Sequence, residues 1–129
     1  MKKSHGLHNA DAIHAEVKEG LKKLSFYADE LHVLSKRLDE ISGKYTSPDI
    51  LDLVADYRER IYLKCREIDS IKSSFLNEEF VAGYKINRMG ESAQIDLQKT
   101  LELHERTGFL HKEVKELWHQ VNEFSAKWM

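Results

Sequence analysis

Hydrophobic positions along the chain fall into three long runs that alternate steps of three and four residues, the spacing that keeps one stripe of an α-helix turned toward a partner. In the first run the stripe is Ile13, Val17, Gly20, Leu24, Tyr27, Leu31, Leu34, Leu38, Ile41 and Tyr45, and Leu21 and Ala28 widen it to one side. In the second it is Ile50, Val54, Tyr57, Ile61, Lys64 or Cys65, Ile68, Ile71 and Phe75, with Leu51 and Leu53 alongside. Thr100, Leu103, Thr107, Leu110, Val114, Leu117, Val121, Phe124 and Trp128 carry the third, and charged residues from Glu102 to Glu123 lie between them. Each helix is wet on one side and must cover the other.

Local signals place the ends. Asn9 or Asp11 can accept from the unpaired N–H groups of a first turn, and Gly43 is a natural stop because it tolerates the left-handed conformation. The strongest boundary is Thr46-Ser47-Pro48-Asp49: serine caps, proline occupies the first helical position without losing a bond, and aspartate meets the positive end of the helix dipole. Between Asn77 and Gly90 the pattern is less regular, since Phe80, Val81, Tyr84 and Ile86 are apolar but Gly83 interrupts them. Matching the lengths of the three rods favours a helix that continues to about Asn87 and turns at Arg88-Met89-Gly90, with a break near Asn77 as the alternative. The last helix then opens at Glu91 and Ser92.

The prediction is an all-α fold, an antiparallel up-down-up bundle of three long helices over about 9–45, 48–87 and 92–128, because short connections force neighbouring helices to run antiparallel. It forms one domain over 1–129, with residues 1–8 a disordered tail. Folding the helices back about their turns sets Gly20 level with Ile71 and with Thr107 or Gly108. Two glycines at one level read either as a pocket or as room for a bulky neighbour such as Tyr27, Phe75 or Phe109, and native packing density favours the second.

Composition narrows the function classes. Charged residues make up 33% and the formal net charge is only -2, with acid and base interspersed throughout, so no segment has the footprint of a nucleic-acid or membrane-surface binder. One cysteine, Cys65, excludes an intrachain disulfide and a thiolate metal cage. No run of ~18 apolar residues is available to span a membrane, and the basic start Met1-Lys2-Lys3 lacks the apolar run of a signal peptide. A soluble, cytoplasmic protein is the expectation.

Seven histidines invite a search for chemistry. Three stand in carboxylate-x-x-His pairs, Asp11 with His14, Asp29 with His32 and Glu116 with His119, a spacing that shares one helix face and recurs in di-iron bundles. Hairpin mapping brings His32, Glu59 and His119 to one level, so a metal site of His32, Glu59, Glu116 and His119 with redox or hydrolytic activity is the alternative functional reading. Opposing it, His32 follows a core leucine and His119 follows Trp118, so both point outward. A second stripe on the last helix, Leu97, Leu101, His104, Gly108, His111, Lys115 and Trp118, reads as a partner or homodimer seam sensitive to mild acid, or as the broad face that one helix needs to touch two others.

Tyr57 to Arg66 mixes cations with aromatics, but Asp56, Glu59 and Glu67 dilute it into a solvated face. Cys65 between Ile61 and Ile68 reads as a small hydrophobe rather than a nucleophile. No phosphate loop, nucleophile elbow or HExxH is present. The preferred reading is therefore a non-enzymatic interaction module without a cofactor, which binds a protein partner or a second copy and neither nucleic acid nor membrane. Leu97, Leu101, His104, His111 and Trp118 are its candidate contacts, with Phe26, Val33 and Phe109 as further apolar positions off the main stripes.

Overall fold

The computed structural model describes residues 7–8, 10–90 and 95–128. Three helices pack as an antiparallel up-down-up bundle: α1 spans Ala10–Lys44, α2 Pro48–Met89 and α3 Gln98–Trp128. The expected stripes are the core. Ile13, Val17, Leu24, Leu31, Leu34, Leu38 and Ile41 of α1, Ile71 and Phe75 of α2, and Leu110, Val114 and Val121 of α3 are almost completely shielded from water.

By contact the chain divides into two compact units, Met1–Leu24 with Asp69–Gly108, and Ser25–Ile68 with Phe109–Met129. Each contains a segment of all three helices. In the first unit Gly20 makes room for Phe75, as the packing argument anticipated: a Cβ on Gly20 would lie 2.6 Å from Cε2 of the buried ring. Gly108 has no such role, because nothing lies within 4 Å of a Cβ placed there.

Capping explains the helix boundaries. The Ser47 carbonyl accepts from Leu51 N–H at 3.0 Å, so Ser47 is the residue before Pro48 at the start of α2, where the local signals put it. Gly43 does not stop α1 by a left-handed turn. Among the described residues only Gly90, with φ 67°, has positive φ, and α1 instead closes with Tyr45 N–H donating to Ile41 at 3.2 Å before the Ser47-Pro48 boundary. Helix α2 passes Asn77 without a break and ends one residue before the Gly90 turn.

The start of α3 differs from expectation. Leu7–His8 (β1) and Ile95–Asp96 (β2) form a two-residue antiparallel bridge, Leu7 opposite Asp96 and His8 opposite Ile95. The Asp96 carboxylate then accepts from the Gln98 N–H at 2.9 Å, and the Leu97 carbonyl accepts from Leu101 N–H at 3.0 Å. A chain held extended at 95–96 cannot be helical there, so α3 begins at Gln98 and not near 92; residues 91–94 lie outside the described residues. Of the stretch 1–8 expected to be disordered, residues 1–6 are likewise outside them.

Candidate interaction surface

The seam proposed on α3 divides between inside and outside. Leu97 is buried as the residue preceding α3, whereas Leu101, one turn on, is 46% exposed. His104 is largely covered. Its ring meets Phe75 edge-on at 5.2 Å, and Nε2 lies 2.9 Å from Glu16, near enough for an ion pair but out of line for a hydrogen bond. In the second unit His111 is exposed yet lies flat against Tyr27 of α1, with ring centroids 4.9 Å apart and planes 16° from parallel, and Trp118 is half-buried. The two histidines of this stripe are thus engaged with α1, the contact that a helix touching two neighbours requires. Burial, and to a lesser degree the Glu30 carboxylate, push the Tyr27 phenol above its usual range, because both disfavour the phenolate.

His32, Glu59, Glu116 and His119 are not brought together. All four side chains face solvent, and among the described residues no three histidine, cysteine or acidic side chains converge as metal ligands. Helix geometry gives the reason: His32 follows buried Leu31, and a step of about 100° per residue turns it from the core to water. His14 likewise reaches across to Glu79 of α2, an ion-pairing contact absent from the sequence reading.

The cations of the Tyr57–Arg66 segment are occupied within the second unit. Arg60 lies 2.9 Å from Asp56, donates to Gln120 at 3.1 Å and sits over the Tyr57 ring, while Lys64 pairs with Glu113 at 3.0 Å. Arg66 rests over Tyr62. Tyr57 itself packs on Phe124 with centroids 5.3 Å apart, and Cys65 is half-buried. In the first unit an open cleft of about 470 Å³ has Lys99 and Arg106 on its walls, balanced by Glu78 and Glu102. It offers no net charge of either sign.

Apolar side chains at the surface are more distinctive. Phe26 and Phe109 of the second unit are 60% and 58% exposed, and Val33 is also exposed, as their positions off the stripes predicted. In the first unit Leu76, Phe80 and Tyr84 are exposed at four-residue steps along α2. The sequence pattern marks Phe80 and Tyr84 as apolar but not the face they share with Leu76. The available signal was angular: at about 100° per residue, Leu76, Phe80 and Tyr84 fall together, turned away from buried Phe75 and Ala82.

Fold and surface together define an all-α three-helix bundle whose outward apolar side chains are its most distinctive candidate contacts. Comparison with protein-family models, with curated proteins and with solved structures finds no match to the chain.

Proposed function

We propose that the chain is a non-enzymatic, cofactor-free interaction module of the cytoplasm, a helical bundle that binds another protein or a second copy of itself through exposed apolar side chains. The observation that carries this reading is the placement of Phe26, Phe80 and Phe109, each more than half in water although the helices that bear them have well-filled cores. Large aromatic side chains lose the most by standing in solvent and gain the most at an interface, so phenylalanines left in water while the core beneath them is filled fit contact residues. The lone cysteine and the lack, among the described helices, of one long and apolar enough to cross a membrane support the compartment.

The test is affinity capture from the source cell with the full chain, alongside elemental analysis of the purified protein. A specific partner, or a second copy, is expected to be retained and to be lost at least about tenfold when Phe26, Phe80 or Phe109 is changed to Asp. Retention indifferent to all three changes, or stoichiometric iron, zinc or manganese released by His119→Ala, would overturn the proposal.

A further inference from the structure

Phe80 is 72% exposed, the most exposed of the large hydrophobic residues described, and it stands at the centre of a face that also holds Leu76, Gly83 and Tyr84. Gly83 lies inside the 42-residue helix α2, where glycine weakens a helix, and nothing lies within 4 Å of where its Cβ would be. The chain's own packing therefore gives no reason for a glycine there. A close approach from outside gives one. The same face carries the protein's most exposed aromatic knob and, three residues away, a notch with no side chain.

Resting on the interaction-module reading, we infer that Leu76, Phe80, Gly83 and Tyr84 form the contact face of an antiparallel, two-fold-symmetric dimer of this chain. A two-fold axis crossing α2 midway between positions 80 and 83 exchanges them, so Phe80 of each copy enters the Gly83 notch of the other and Leu76 meets the exposed Asn87. A parallel pairing would set Phe80 on Phe80 and leave both notches empty. Self-complementarity of knob and notch on one helix is what points to a second copy over an unrelated partner.

The area agrees. With Phe80 72%, Tyr84 54% and Leu76 44% exposed, and aromatic side chains offering about 150–250 Å² each, one copy presents on the order of 300 Å² of apolar surface on this face. Two copies would hide roughly 600 Å². At the apolar share of about 57% found in non-obligate interfaces, that corresponds to roughly 1,100 Å² in total, the lower edge for a specific contact. The dimer is accordingly weak and concentration-dependent.

Sedimentation equilibrium of the full chain from about 5 to 500 µM tests the inference, with Phe80→Asp, Gly83→Gln and, as a control on exposed apolar surface outside this face, Leu63→Asp. Wild type is expected to move from monomer to dimer across the range. Phe80→Asp and Gly83→Gln should each weaken dimerisation at least about tenfold, and Leu63→Asp should leave it unchanged. Circular dichroism should show full helicity for all three, and Gly83→Gln should raise the melting temperature even as it blocks the dimer, which separates an interface role from a folding one. A wild-type monomer at 500 µM, or a dimer that Phe80→Asp and Gly83→Gln leave intact, overturns the inference. If that monomer still captures a partner from the source cell, the dimer falls alone; if it captures none, the interaction-module reading falls with it.

Discussion

The two compact units solve the same packing problem with different materials. In the second, the α3 stripe from Leu110 through Val114, Leu117 and Val121 to Phe124 is wholly apolar, and it is matched by Leu31, Leu34, Leu38 and Ile41 of α1. The first buries Thr100 and Thr107 on α3, gives up a side chain at Gly20 and fills the space with Phe75, while Leu76, Phe80 and Tyr84 remain outside. The threonines differ in turn. Thr107, well inside α3, donates to Leu103 four residues back at 2.8 Å, whereas Thr100, in the first turn, has no bonding partner for its hydroxyl among the described groups, because the residue four back is Asp96 in the extended β2 segment. Both units leave apolar side chains in water, Phe26, Leu63 and Phe109 in the second as well as Leu76, Phe80 and Tyr84 in the first, so the difference lies in how each core is filled.

The largest effects should come from the two cores. Phe75→Ala is expected to cost about 3–5 kcal/mol in urea unfolding, because it removes the ring seated on Gly20 and the edge contact to His104, against about 2–5 kcal/mol for Leu34→Ala in the aliphatic unit. A Phe75→Ala loss of less than about 1 kcal/mol would show that the first unit's core is not built around this ring.

Glycine substitutions sharpen the contrast within the first unit. Gly20→Ala forces a methyl group into Phe75 and should destabilise by about 1–3 kcal/mol despite alanine's better helix propensity. Gly83→Ala meets open space and should stabilise by up to about 1 kcal/mol. Thermal denaturation of both variants checks the pair, and the same sign for both would remove the distinction between a packed and an unpacked glycine.

The smallest effect lies at alkaline pH in the second unit. Because the folded state holds the Tyr27 proton to higher pH than the unfolded chain, the unfolded state ionises first as pH passes about 10, binds fewer protons, and stability falls with rising pH. Tyr27→Phe should flatten this decline between about pH 9 and 11, measured as the urea midpoint, and equal slopes for both proteins would refute it.

The cation positions of the second unit show what interspersed acids do to a basic segment. Arg60 and Lys64 stand in the Tyr57–Arg66 segment that the interspersed acids mark as a solvated face, and each is paired there, in solvent-accessible pairs that add about 0–1 kcal/mol. They hold a surface quiet without creating a site.

Residues near in sequence were enough to settle the three helices, their buried stripes and the Ser47-Pro48 boundary, since 3.6-residue periodicity and capping act within a few residues. The same periodicity turned His32 and His119 toward water. Tertiary structure decided which groups meet across helices: His14 found Glu79, 65 residues away, in place of Asp11, and His104 found Phe75 and Glu16. It also moved the start of α3 to Gln98, through a bridge between Leu7–His8 and Ile95–Asp96 that no local signal announces. A residue's angle around its own helix is set by its neighbours in the chain, but the level at which one helix faces another depends on every turn and packed side chain between them.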